Sequence, residues 1–318
     1  MTVSKVRKLP ADSPDHPLPA LRTPRGDRIA WFVSPQGFGH AARASAVMAA
    51  LLARRPDIHF DVYTSLPSWF FEDSVGADHL TPISVVSDIG LVQRSALDVD
   101  LDASLRELDR FYPLSEKRIE KWGRFLRTRK TRLVVCDIAP LGILAAAWAG
   151  LPAVLIENFT WDWIYAGYAP KRAAFTRHAR RLERIFSRVD FHIRSEPLCG
   201  RGSGDLRVGP VSRETRQTPE VVRQRLGIRP GARMVLMTMG GFAGRRVPRS
   251  RNQPPDDVFL VCAGTGEHIH RRGRILQLQV RSGFYHPDLV QAADAVIGKL
   301  GYCTLSEVYR SGVTLGYV

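Results

Sequence analysis

The sequence predicts an α/β protein of two Rossmann-like domains, each built on a doubly wound parallel sheet. Short apolar runs of strand length alternate with helical stretches along most of the chain, and that alternation is the signature of strands joined by helical crossovers. Several runs end in glycine or acidic turn residues that lead directly into a helix. The chain has 318 residues, a length that suits two units of roughly 100 to 200 residues each.

The first ordered element is expected at Arg28–Val33, which runs into the turn Ser34-Pro35-Gln36-Gly37. A helix follows, because Ala44, Val47, Met48, Leu51 and Leu52 repeat at helical spacing. His59–Tyr63 and Pro82–Val86 read as strands, and a polar helical stretch runs from about Ser104 to Arg127. The β-branched run Arg132–Cys136 stops at Asp137. Pro140 can open the next helix, Gly150 suits its left-handed cap, and Ala153–Ile156 is the strand after it.

Residues 1–27 are expected to form a proline-rich, disordered tail, 28–205 the first domain and 206–217, with Gly209-Pro210, the linker. The second domain covers 218–318. Its elements are a helix at Pro219–Leu226, strands at Met234–Met239, Asp257–Cys262, Ile275–Val280 and Ala295–Ile297, a helix at Asp288–Ala293, another from about Thr304, and a final strand at Val313–Val318. Arg245–Pro255 reads as a basic loop. Only about four βα units fit in this span, so the second domain is expected to be incomplete.

The formal charge is +15, from 46 basic and 31 acidic residues, and the basic ones are nearly all arginine. That sign suits a phosphorylated sugar, a nucleotide, an anionic lipid surface or nucleic acid alike, so charge alone does not choose between them. No nucleic-acid partner is expected. The four cysteines form no C-x-x-C pair, so a disulfide framework or metal cluster is not expected. With no apolar leader and no window of 18 apolar residues, the expected setting is cytoplasmic. The arginine-flanked apolar stripe from Phe175 to Val189 reads as a solvated basic helix, with peripheral docking to an anionic membrane as the alternative.

Four places could carry chemistry. Gly37-Phe38-Gly39-His40 lies at the first strand-to-helix turn, where glycines admit ligand atoms, the helix start favours negative charge and an imidazole faces the crevice. Asp137, at a strand end, could orient that imidazole or cap the following helix. The segment Glu157 to Tyr165 is dense in aromatics, and Trp161, Asp162, Trp163 and Tyr165 could line an acceptor pocket, or the rings could simply pack. In Gly298-Lys299-Leu300-Gly301-Tyr302-Cys303-Thr304-Leu305-Ser306-Glu307, the helix start at Gly301 and Thr304 could bind a diphosphate, with Glu307 reaching ribose hydroxyls. Thr304 and Glu307 also spell a capping box. Gly240-Gly241 could add backbone donors to the same diphosphate or make a turn.

With these motifs in place, the chain resembles the GT-B superfamily of glycosyltransferases. Within it, the chain is similar to the glycosyltransferase-like region at the N-terminus of plant arabinokinases and to stand-alone bacterial homologues. Three blocks carry the resemblance: Gly37–Arg43, Val134–Pro140 with Asn158–Tyr165, and Gly298–Glu307. It implies a nucleotide diphosphate sugar donor, UDP-linked, held by Gly301, Thr304 and Glu307, with the acceptor beside His40. It further implies inverting, metal-independent transfer with no cofactor and with His40 as general base. Cys303 stands where a glycine is common in the family. Hydrolysis of a nucleotide sugar and non-catalytic sugar-nucleotide binding are the alternative functions.

Overall fold

In a computed structural model, residues 26–95, 97–200, 202, 204–239, 253–264 and 268–317 are described. They form two sheets. The first has seven strands in the order β3-β2-β1-β4-β5-β6-β7, all parallel: β1 (Arg28–Val33), β2 (His59–Tyr63), β3 (Leu80–Ile83), β4 (Leu133–Asp137), β5 (Ala153–Glu157), β6 (Phe191–Ser195) and β7 (Leu206–Val208). Its central strand β1 is buried throughout. Ala30 and Phe32 join one core, while Ile29, Trp31 and Val33 join another on the opposite face. Burial on both faces is why β1 reads as a continuous apolar run and not as an alternating one.

Helices cover both faces: α1 (Phe38–Leu52), α2 (Trp69–Val75), α3 (Leu101–Phe111), α4 (Glu116–Thr128), α5 (Pro140–Ala149), α6 (Trp161–Tyr168) and α7 (Phe175–Phe186). The polar helix expected from Ser104 to Arg127 is two helices. Pro113 lies between them and cannot continue a helix. Each has its own N-cap, since Asp100 accepts from the Ala103 amide and Ser115 from the Arg118 amide.

The second sheet has six strands in the order β10-β11-β9-β8-β12-β13, parallel except for the β10–β11 pair. These are β8 (Arg233–Thr238), β9 (Val258–Ala263), β10 (His270–Arg272), β11 (Ile275–Leu278), β12 (Ala295–Gly298) and β13 (Thr314–Tyr317). With α8 (Pro219–Arg225), α9 (His286–Ala292) and α10 (Tyr302–Ser311) they enclose a core around Met234, Leu236, Val261 and Val296. Gly298 is required at its position: an added Cβ would lie 1.9 Å from the Thr238 carbonyl oxygen on β8.

Leu206–Val208, expected to open the linker, is instead the edge strand β7, paired with β6. Its first two residues are exposed, so it has no apolar pattern to betray it, and the first sheet therefore ends at Val208. Residues 1–25 of the expected tail and Gly240-Gly241 with most of the expected basic loop lie outside the described residues. No described helix is long and apolar enough to cross a membrane.

Candidate active site

In each sheet the chain leaves one central strand for both neighbours, and ligand crevices form at the carboxyl ends of such switch points. In the first sheet the point lies between β1 and β4, where Val33 pairs with Asp137. In the second it lies between β8 and β12, where Thr238 pairs with Gly298. The two switch points face each other across the lobes. A Cβ added to Gly39 in the first turn of α1 would lie 3.7 Å from the Cys303 Cβ in the first turn of α10.

Gly37 caps α1 at φ 97°, a left-handed conformation that glycine adopts without penalty. It sets His40 in the first turn, where Nδ1 lies 2.7 Å from Asp137 Oδ1. Arg43, one turn on, grips the same carboxylate: Nε donates to Oδ2 at 2.8 Å and Nη2 to Oδ1 at 2.5 Å. Arg43 Nη1 donates to Asn158 Oδ1, and Asn158 Nδ2 donates to the Ser195 carbonyl at 2.5 Å. All four side chains are buried. The next residue after Asp137, Ile138, has φ 47° and no exposed surface, a strained backbone for a β-branched residue of the kind found where a site over-determines the chain.

Burial works to raise the Asp137 carboxyl, but the charges of Arg43 and His40 outweigh it and hold it below the ordinary carboxylate range. An ionised carboxylate can only accept, so Nδ1 of His40 carries a hydrogen, and in the neutral imidazole the lone pair then lies on Nε2. The structure brings His40 and Asp137 together and joins to them Arg43 and Asn158, which stand in the motif blocks but to which sequence reasoning assigned no role. For Arg43 the available signal was its position three residues after His40, which places both on one helix face.

Of the four aromatic-block residues that could line an acceptor pocket, two are core residues, the packing role that the sequence also allowed. Trp161 is 5% and Tyr165 0% exposed. The Trp161 indole donates to Asp88 Oδ2 at 2.9 Å and the Tyr165 hydroxyl to the Ile89 carbonyl at 2.5 Å, so neither offers a face to an acceptor in this arrangement. Asp162 is partly buried and its carboxyl is raised by that burial, while Trp163 stands 45% exposed. The ring that does face His40 is Phe159, edge-on at 5.9 Å, and it also meets Tyr302 of the opposite lobe at 5.4 Å. Asp88 went unnoticed in the sequence. It is fully buried, with one unpartnered oxygen, and burial pushes its carboxyl up to about 7.

At the second switch point α10 starts at Tyr302, with Gly301 as N-cap. The expected capping box is absent, because Thr304 already lies inside the helix. The first-turn amides of Tyr302, Cys303 and Thr304 have no intrahelical acceptor, as at any helix start. Glu307 is 2% exposed. Its Oε1 accepts from Arg213 Nη2 at 3.0 Å, and its Oε2 lies 2.7 Å from His286 Nδ1. Burial opposes ionisation, but His286 and then Arg213 bring the carboxyl down to about 2. The Arg213 guanidinium is also stacked between Phe70 of the first lobe, at 4.7 Å, and Tyr285 of the second, at 4.9 Å. Glu307 therefore anchors an arginine that bridges the lobes. Replacing Glu307 by Gln is expected to lower unfolding stability by about 3 kcal/mol through the loss of that buried counter-charge. Denaturant unfolding at neutral pH checks this, and a variant as stable as the parent would reduce the pair to a passive contact.

No protein-family model matches the chain. It is 32% identical over 296 residues to an L-arabinokinase from Arabidopsis thaliana, covering 91% of this chain and 28% of that protein. Among solved structures it is similar to the glycosyltransferase SnogD from Streptomyces nogalater, with TM-score 0.55 and 18% identity over 91% of this chain and 80% of that one. It is also similar to SsfS6, a Streptomyces sp. SF2575 glycosyltransferase, with TM-score 0.55 and 14% identity over 92% and 81% of the two chains. With two facing sheets, parallel but for the edge strand β10, their switch points opposed and these neighbours in structure, the chain has the GT-B fold of glycosyltransferases.

Proposed function

We propose that the chain transfers a sugar from a nucleotide diphosphate sugar, UDP-linked, to an acceptor hydroxyl, with inversion and without a metal. The observation that carries this reading is the His40–Asp137 pair at the first switch point, facing the open amides of α10 at the second. Asp137 fixes the His40 ring through Nδ1, which leaves Nε2 as the base. An acceptor O–H gives its proton to Nε2 while its oxygen attacks the anomeric carbon from the face opposite the diphosphate. The bond from that carbon to the diphosphate oxygen breaks, and its electron pair leaves with the nucleotide. Asp137 stabilises the imidazolium that forms, as a buried carboxylate does for a base that takes up charge.

The departing diphosphate gains negative charge, and a helix start supplies partial positive charge with unpaired N–H groups. Gly301 and Thr304 would hold it there, joined by Gly240 and Gly241. Lys299 adds a cation at the same turn. Glu307 would take a ribose hydroxyl through the lone pairs that Arg213 and His286 leave open, since a carboxylate has about four acceptor sites. On this reading E307Q weakens UDP binding roughly 10- to 100-fold, the worth of a charged hydrogen bond of about 1.5–3 kcal/mol.

The decisive experiment incubates the protein with a panel of nucleotide sugars, with and without candidate sugar and lipid-linked acceptors. Released nucleotide that requires an acceptor and yields a glycoside of inverted configuration supports transfer. Free sugar formed at the same rate without acceptor would make water the acceptor and the activity hydrolysis. No calorimetric binding of any nucleotide sugar would remove the reading altogether.

A further inference from the structure

We propose that the groove between α5 and α7 is a second anion-binding site, separate from the His40 cleft, for a compact soluble molecule carrying clustered phosphoryl groups. The groove encloses about 440 Å³, within the range of small-molecule sites, and is walled by Arg177, Arg180, Arg181, Arg184 and Arg188. Leu144 of α5 and Ile185 of α7 supply its apolar surface. Four arginines lie within three turns of α7 and Arg188 lies just past its end, so one short stretch of chain concentrates all five guanidinium groups.

Among the described residues their charge is mostly unanswered. Arg177 is paired with Asp109 of α3, which also holds His178. Among the described residues, no carboxylate pairs with Arg180, Arg181, Arg184 or Arg188. The facing helix α5 has no charged residue at all. Glu183 of α7 acts on Asp162 of α6, and Arg181 acts on the buried Tyr112. Like charges held this closely repel, and a bound polyanion relieves that repulsion. The planar, forked guanidinium matches phosphoryl oxygens two at a time.

The shape selects the source of the phosphates. The apolar side of α7, with Phe175, Ala179, Leu182 and Phe186, is spent in the core of the first domain, so it cannot enter the acyl region of a bilayer as an interfacial helix does. The structure thus favours a soluble polyphosphorylated molecule over the anionic membrane that the sequence pattern admits.

Titration calorimetry of the full chain with inorganic tripolyphosphate, with saturating UDP present to occupy the α10 amides and in about 0.15 M salt so that diffuse attraction is screened, tests this. Saturable one-site binding is expected, with pyrophosphate weaker and orthophosphate weaker again. The variant R180Q/R184Q/R188Q changes three exposed side chains, so it should melt like the parent and bind tripolyphosphate roughly 10- to 100-fold more weakly. The variant R180K/R184K/R188K keeps the charge but loses the forks and should also bind more weakly than the parent. Parent-like binding by either variant overturns the proposal. So does association with phosphatidylserine vesicles when tripolyphosphate shows no saturable binding.

Discussion

Replacing His40 by alanine is expected to lower sugar transfer by about 10² to 10⁴-fold, the usual contribution of a positioned base, while nucleotide-sugar binding stays close to that of the parent. The prediction separates base from scaffold. Arg43 holds Asp137 through two of its own hydrogen bonds, so the carboxylate keeps a partner when the imidazole is gone. The amides proposed to hold the donor belong to α10, in the other lobe. His40→Gln should behave like His40→Ala in rate, because its amide can still reach Asp137 but offers no base of useful strength. Acceptor-dependent turnover, followed as released nucleotide with calorimetry alongside, checks both variants. Transfer at the parental rate in either one would deny His40 the role of base.

The core of that site was legible because parallel sheets put chemistry where the sequence marks it. Val33 and Asp137 end apolar runs, and strand ends at a switch point meet the ligand crevice. The glycines at 37 and 39 and the helix at 38–52 then fix His40. What could not be read was the pairing across distance. Arg43 reaches residues 94 and 115 positions away, and no periodicity encodes such a contact. The aromatic block left two roles open for a related reason. Trp161 and Tyr165 are four residues apart on α6, a spacing that puts them on one face without saying whether that face meets solvent or core. Their polar atoms are satisfied by Asp88 and the Ile89 carbonyl, partners in a loop that carries no helical or strand pattern. Glu307 shifted its meaning when α10 began at Tyr302. A helix that starts two residues before Thr304 places Glu307 in its second turn, where it meets Arg213 instead of a helix cap.

Asp137→Asn is expected to be damaging in a different way, since it removes charge from a buried cluster while keeping the shape. Arg43 is 7% exposed, and its guanidinium would be left with neutral acceptors only, a change that typically costs about 3–5 kcal/mol when a buried pair is broken. The same substitution takes from His40 the anion that stabilises its protonated form, so transfer should fall together with stability. The pH dependence gives the effect its signature. The Asp137 carboxyl titrates lower in the folded chain than its ordinary value of about 3.9, so its stabilisation is fully present above about pH 4 and is lost as the pH falls through the folded value. Parent and variant should therefore differ most near neutrality, and the gap in unfolding free energy should narrow in acid. Denaturant unfolding at pH 7, 5 and 3.5 follows that gap. A variant as stable as the parent at pH 7, or a gap that widens in acid, would show that Arg43 does not depend on the Asp137 charge.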